Sequence, residues 1–290
     1  MATNTPFGQR LGLVLEGGAM RGIYTAGVLD VFLEAGIMPD VVVGVSAGAL
    51  HGCSYVAGQK GRSIRYYRKY RSDKHFMGLY SLLTTGDVVG TKFCYEDIPL
   101  RLDPFNEAAF EKAPVDFYVT VTNVRTGKPE YILCDELKVG SKMDVIRAGA
   151  SMPLCSKMVE WNANLYLDGG VSDSIPYAKM KDFGCRKSIV VLTQPAGYLK
   201  QPAAMAPFEA MYRKYPAFVE AMRGRDQMYN TEVCAVEQAA KQGDVFLIRP
   251  SKLLHVGRME HDIEVLNAQY ELGRQDARNQ MDAMRERIER

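Results

Sequence analysis

Eighteen consecutive residues, Val41 to Gly58, contain no Asp, Glu, Lys or Arg. A run of that length is close to what a membrane-spanning helix needs. Its interior argues against one. The front is the β-branched Val41-Val42-Val43. The back carries small residues at helical spacing, Ala47 and Ala49 before Leu50. Gly44, Gly48, Gly52 and Gly58 are interspersed with Ser46, His51 and Ser54. A buried strand, a tight turn and a buried helix account for this pattern better than a single span.

The flanking sequence repeats the strand–helix alternation. Leu11 to Leu15 reads as a short buried strand, and Arg21 to Ala35 as a helix stopped by Gly36. Val41 to Val43 is the second strand, with a helix after Ser46. Further strands are expected at Phe117 to Thr122, Tyr131 to Leu133, Leu165 to Leu167, Ser188 to Leu192 and Val245 to Ile248. Pro216 to Gln242 reads as mostly helical. Ile263, Leu266, Tyr270, Gly273, Ala277, Met281, Met284 and Ile288 mark a long final helix, expected to pack on the body. Alternating elements of this kind imply an α/β fold with helices on the faces of a mainly parallel sheet. There is no internal repeat or evident linker.

Composition excludes several classes. The chain has 290 residues, 47% hydrophobic and 24% charged, which is globular arithmetic. Its 36 basic and 34 acidic residues leave a net charge of +2, so no nucleic-acid partner is expected. The six cysteines form no CxxC pair and read as reduced thiols of a cytoplasmic protein. Met1 to Arg10 has no hydrophobic signal region.

Two glycine-containing motifs sit where the first two strands end. Gly44-Val45-Ser46-Ala47-Gly48 matches the G-x-S-x-G elbow in its required context, a strand before and a helix after. Such a turn has no room for side chains two residues before and after the serine. It lifts the hydroxyl off the sheet edge, and the helix behind it aims a positive N-terminus at any developing anion. Glu16-Gly17-Gly18-Ala19-Met20-Arg21-Gly22 exposes backbone N–H groups at a helix start, suited to an anion cradle or oxyanion hole. A dinucleotide loop fits less well. Ala19 interrupts the glycine pattern, and Ser46 stands where the ribose-binding acid should be. Gly127-Lys128 is followed by Pro129, so it is no P-loop. A bare turn remains the plain alternative for each motif alone.

A serine nucleophile needs a base. Of four histidines, His51 lies on the serine's own helix and should point away. His75 has no motif around it; His255 and His261 come late enough for the α/β-hydrolase order Ser, acid, His, but neither is flanked by a motif and each reads better as a surface or capping residue. Asp168-Gly169-Gly170 follows the apolar Leu165-Tyr166-Leu167, which puts an acid at a strand end. An ordinary Asp-Gly turn is the alternative there.

Taken together, the three motifs resemble the bacterial branch of the patatin-like phospholipase family, over about residues 10–195. Ala148 to Pro153 and Thr122-Asn123-Val124-Arg125-Thr126-Gly127 are similar too. The resemblance implies an α/β/α sandwich, with residues 1–195 as catalytic core. Residues 196–290 would be a mostly helical extension packed on it, including the strand near 245–248. It implies a serine acyl hydrolase of lipid esters, of phospholipase, lysophospholipase or esterase type, working by a Ser–Asp dyad without histidine. Ser46 would be the nucleophile and Asp168 the base. N–H groups around Gly17, Gly18 and Ala19 would form the oxyanion hole, with Arg21 shaping that loop. Gly22, Gly44, Gly48, Gly169 and Gly170 complete the motifs. Neither cofactor nor metal is expected. The family usually has glycine at the position of Ala19, and a methyl fits there if the backbone is not left-handed. The rivals are an acyltransferase or thioesterase using the same acyl-serine, and a catalytically silent lipid-binding scaffold.

Two segments bear on the substrate. Arg62 to Lys74 carries Arg62, Arg65, Arg68, Lys69, Arg71 and Lys74 among Tyr66, Tyr67 and Tyr70. It could dock an anionic lipid surface, as a peripheral contact at the inner membrane face, or an RNA backbone; a solvated helix face is the plain alternative. Tyr198 to Tyr229 holds Met205, Met211, Met222 and Met228 with three prolines. It is either an acyl pocket or lid, or a core-packed helical hairpin.

Overall fold

The Val-, Leu- and Ile-rich runs form strands, where branched side chains lose little freedom. They are β1 (Arg10–Leu15), β2 (Val41–Val45), β3 (Asp116–Asn123), β4 (Pro129–Leu133), β5 (Val159–Trp161), β6 (Asn164–Asp168), β7 (Cys185–Val191) and β8 (Val245–Ile248), joined in one eight-stranded sheet. The structure is a computed structural model describing residues 5–289; Met1 to Asn4, part of the N-terminal stretch read above, and Arg290 lie outside it. Hydrogen-bonded neighbours run β5, β6, β3, β2, β1, β7, β8, with β4 also on β3. The pairs β2–β3, β1–β2, β1–β7 and β7–β8 are parallel; β4 and β6 run antiparallel to β3, and β5 to β6.

Helices cover both faces: α1 (Ile23–Glu34), α2 (Ala47–Val56), α3 (Arg62–Tyr70), α4 (Leu79–Thr85), α5 (Glu107–Lys112), α6 (Met143–Gly149), α7 (Ala206–Met211), α8 (Pro216–Arg223), α9 (Arg225–Gln242) and α10 (Ile263–Glu289). Alternation along the strands sends side chains into two separate cores. Leu13, Leu15, Val42, Ile189 and Val191 pack with Tyr24, Val28, Phe32 and Leu272 from α1 and α10. Val14, Val41, Val43 and Val190 pack with Tyr229, Val236 and Ala239 from α9. This is a three-layer sandwich, and both faces of the central strands are dry. The charge-free run from Val41 is therefore a strand, a turn and helix α2, as its glycines indicate.

Some boundaries differ from expectation. The helix expected from Arg21 starts as a 3-10 helix at Ala19–Gly22 before α1. The helical stretch from Pro216 is interrupted at Gly224, which separates α8 from α9. β5 and α6 give no sequence signal: one is three residues long, and the other is a seven-residue helix buried on most sides.

α10 crosses α1 closely. A Cβ on Gly273 would lie 2.1 Å from the Tyr24 carbonyl oxygen, and one on Gly27 would lie 2.1 Å from that of Tyr270. Tyr270 donates to the buried Asp30 carboxylate, and Arg274 pairs with Glu34. Gly273→Ala gains about 1 kcal/mol of helix propensity. The obstacle is backbone, however, and overpacking costs roughly 1–3 kcal/mol. A lower melting temperature is expected for Gly273→Ala; an unchanged or higher one would show that the helices separate freely.

Candidate functional site

Ser46 sits at the sharp turn between β2 and α2 with φ 52° and ψ −123°. That is a left-handed conformation, costing about 1–3 kcal/mol, which the surroundings must impose. They do so through the two motif glycines. A Cβ on Gly44 would lie 2.4 Å from Ala49 Cα, and one on Gly48 would lie 2.3 Å from the Leu15 carbonyl oxygen. The turn closes only with glycine at both places.

Asp168 reaches the serine through a change of strand partners along β3. Thr120 pairs with Val45 of β2 and Tyr131 of β4, whereas Val121 pairs with Asp168 of β6 and Glu130 of β4. Since β4 keeps one side of β3 throughout, β6 takes over the side that β2 leaves. The end of β6 therefore meets the end of β2. Ser46 Oγ donates to Asp168 Oδ2 at 2.6 Å, and the Gly170 N–H donates to Oδ1 at 2.8 Å. Both residues are buried, with relative exposures of 8% and 6%. Burial raises the Asp168 carboxyl above the usual carboxylate range, against the opposing effects of the Ser46 hydroxyl, the Arg225 guanidinium, the Gly170 N–H and Lys200. The 148–153 block belongs here, since the Asp168 N–H donates to the Ser151 carbonyl. Thr122 Oγ1 donates to the Asp168 carbonyl at 2.8 Å. The rest of its block forms the β3–β4 turn, with Asn123 Oδ1 accepting from Arg125 N.

The loop after β1 lies against the serine; a Cβ on Gly17 would come within 2.8 Å of Ser46 Cβ. The N–H groups of Gly17, Gly18 and Ala19 find no acceptor among the described residues. Ala19 has φ 48°, so the condition for an easy methyl is not met. A left-handed alanine costs roughly 1–2 kcal/mol. Glu16 anchors the loop: its buried carboxylate accepts from the Thr193 N–H and hydroxyl, and burial pushes its pKa up, with Thr193, Tyr229 and Arg21 opposing.

No histidine joins this arrangement among the described residues. His51 Nδ1 is 3.0 Å from Ser63 Oγ, and burial lowers its pKa to about 4. His75 contacts Asp73, and His255 and His261 are exposed. No group of three or more described His, Cys, Asp or Glu side chains could hold a metal.

Two cavities meet at Ser46, Ala19 and Met152. One is apolar, walled by Leu50, Tyr66, Phe76, Tyr95, Ile98 and Met143 among others. The second is the more polar of the two, mixing apolar walls with Asp168, Arg21, Lys200, Arg225 and Arg258, and is called the polar cavity below.

A family model described as patatin-like phospholipase matches residues 13–180, more than half of the chain and all three motifs. The chain belongs to the patatin-like phospholipase family. A second model, a domain of unknown function (DUF6363), matches residues 215–289. The uncharacterized protein YjjU of Escherichia coli is 28% identical over 91% of this chain and 75% of its own length. Lysophospholipase nte1 of Aspergillus terreus and Lysophospholipase NTE1 of Saccharomyces cerevisiae are 29% and 30% identical over 61% and 63% of this chain. The chain spans only 11% of each of those two proteins. Among solved structures, VipD from Legionella pneumophila matches with TM-score 0.47 and 13% identity, over 95% of this chain and 67% of that one.

The patatin-like region builds the apolar cavity but not the polar one alone. Lys200, Arg225 and Arg258 follow it in sequence, and nothing in their surroundings marks them as site residues. The Arg62–Lys74 cluster divides. Arg62 and Arg71 are buried, and Arg71 donates to the Glu260 and Met259 carbonyls. Tyr66 and Tyr67 wall the apolar cavity; Arg65, Arg68, Lys69 and Lys74 face outward. In the Met-rich segment, Phe208 and Met222 line the polar cavity, while Tyr212, Phe218 and Val219 pack with Val124, Leu167 and Val171.

Proposed function

We propose that this protein is a serine acyl hydrolase of lipid esters working through a Ser46–Asp168 dyad. The observation that carries the reading is the 2.6 Å hydrogen bond from Ser46 Oγ to a buried carboxylate at the junction of an apolar and a polar cavity. The acyl chain occupies the apolar cavity and the alcohol part of the ester the polar one. As Ser46 Oγ attacks the ester carbonyl, its proton passes to Asp168 Oδ2. The Gly17, Gly18 and Ala19 N–H groups, which have no acceptor among the described residues, receive the oxyanion, aided by the N-terminus of α2. The alcohol leaves with the proton from Asp168. Water then cleaves the acyl-serine by the same steps and releases the fatty acid.

The apolar lining of the first cavity supports an acyl site. Leu50 stands one helical turn after Ser46 on the same face of α2. Leu50→Trp is expected to lower kcat/KM for long-chain p-nitrophenyl esters by about tenfold, as a filled pocket position excludes several methylenes. Acetate and butyrate esters should be little affected. Equal losses for short and long chains would place the acyl chain elsewhere.

Residues 1–195 are read as the catalytic core and residues 196–290 as the extension that closes its polar cavity. Among the described residues no helix is long and apolar enough to cross a membrane. We place the protein in the cytoplasm with peripheral contact to an anionic membrane. α4 supports this: Leu79 and Leu83 are 69% and 76% exposed, and Lys74 Nζ lies 4.6 Å from the ring of Tyr80 on the same helix. One buried leucine contributes roughly 1.5–3 kcal/mol, so Leu83→Asp should weaken binding to anionic vesicles about tenfold. Salt should weaken it too. Binding indifferent to both would remove this face from consideration.

A further inference from the structure

The polar cavity beside Ser46 holds four cationic side chains: Arg21, Lys200, Arg225 and Arg258. None has a carboxylate within ion-pair distance among the described residues. The two acids on the same wall are already engaged. Glu16 accepts twice from Thr193, and Asp168 accepts from Ser46 and Gly170. Arg225 and the Lys200 backbone are held in place without being neutralised, while Arg258 lies exposed at the cavity rim. Arg225 Nε donates to the Gly170 carbonyl at 2.6 Å. The Lys200 backbone is tied in both directions to the Asn230 side chain, at 2.9 and 3.1 Å. Arg21 Nε is buried and has no hydrogen-bond partner. Burial, together with Arg225, Arg21 and Arg258, lowers Lys200 to about 8, with Glu16 opposing. Like charges gathered in a partly dry site destabilise one another until an anion arrives.

We propose that this cavity binds the phosphate of an anionic lysophospholipid headgroup, and that the protein prefers such lipids to their choline or ethanolamine counterparts. The proposal rests on the acyl-hydrolase reading above and names the alcohol part of its ester. Guanidinium and ammonium donors suit phosphate oxygens. A choline group would meet four cations here. The carboxylates that could balance it are engaged, and the Tyr229 ring is already covered by Lys200 Nζ at 4.3 Å.

The test compares monomeric lysophosphatidylglycerol, lysophosphatidic acid, lysophosphatidylcholine and neutral monoacylglycerol of one chain length, all below micelle formation. Charge-assisted contacts of this kind lead us to expect kcat/KM at least about tenfold higher for the two anionic lipids than for lysophosphatidylcholine. Lys200→Gln and Arg258→Gln should each lower that ratio several-fold, and Lys200→Arg and Arg258→Lys should keep it. Glycerol 3-phosphate and inorganic phosphate, added to the monoacylglycerol reaction, separate headgroup from free anion. Inhibition by inorganic phosphate without any headgroup preference would overturn the proposal as a site for free phosphate only. Equal rates for anionic and choline lipids would overturn it while leaving the hydrolase reading intact. If no ester is cleaved, the hydrolase reading fails. Calorimetric binding of the same lipids to Ser46→Ala protein then decides the headgroup preference on its own, and equal affinities would overturn it.

Discussion

Ser46→Ala is expected to abolish ester turnover and labelling by a fluorophosphonate probe while the protein stays folded. The loss should be large, about 10⁴-fold or more in kcat, because removing a nucleophile removes the covalent route entirely. Folding should survive for a local reason. Ser46 already holds φ 52°, a conformation no easier for serine than for alanine, and Gly44 and Gly48 that allow the turn are untouched. What is lost is one hydrogen bond to Asp168, which keeps its bond from Gly170. Leaving one side of a buried carboxylate unpartnered costs roughly 1–3 kcal/mol, less than the stability of an ordinary domain. Probe labelling and melting temperature measured on the same preparation check both parts. Retained labelling of the folded variant would mean that another residue is the nucleophile.

Asp168→Asn should lower kcat by about 10²–10⁴, the usual worth of a positioned general base. The amide keeps the size of the carboxylate and can still accept from Gly170, so the effect reports on basicity. The pH profile adds an independent sign. Burial raises the Asp168 carboxyl, with Ser46, Arg225, Gly170 and Lys200 pulling the other way. Only the carboxylate can take the Ser46 proton, so wild-type activity should fall as pH drops through a value above the ordinary 3.8 of aspartate. Arg225→Gln removes a cation from beside the carboxylate and should move that acidic limb to higher pH. Folding gives the converse. A carboxyl raised in the folded state contributes stability below its unfolded pKa and loses it as pH rises through the folded one. The melting temperature of Asp168→Asn relative to wild type should therefore climb as pH increases from about 4 toward neutrality. His75→Ala, His255→Ala and His261→Ala should retain most activity. If one of them were folded and as inactive as Ser46→Ala, the site would be a triad and the dyad would be excluded.

The parts of this protein legible in the sequence are those set by contacts close along the chain. A β-branched run followed by G-x-S-x-G fixes a strand, a turn and a helix, because the steric conflict at Gly44 and Gly48 lies within that unit and the strand beside it. The three-layer sandwich follows from strands that are apolar on both faces. The glycines after β1 and the Asp-Gly-Gly at the end of β6 mark strand ends for the same local reason. The long C-terminal helix shows through its stripe of apolar residues.

Other features came only from tertiary structure. Nothing near Asp168 in the chain shows that β6 takes over the flank of β3 where β2 stops, yet that exchange brings the carboxylate to 2.6 Å from Ser46, 122 residues away. The left-handed angle at Ala19 is imposed by the loop's packing against the serine and the end of β7, not by the residue's own preference. Arg62 to Lys74 looks like one basic patch in sequence; the fold turns Arg62, Arg71 and the tyrosines inward and the rest outward. Lys200, Arg225 and Arg258 have no motif, and they line one cavity because α9 and the segments around it close over the sheet edge. Short-range sterics and periodicity are written residue by residue. Which distant side chains share a cavity depends on how whole elements pack, and single residues carry little of that information.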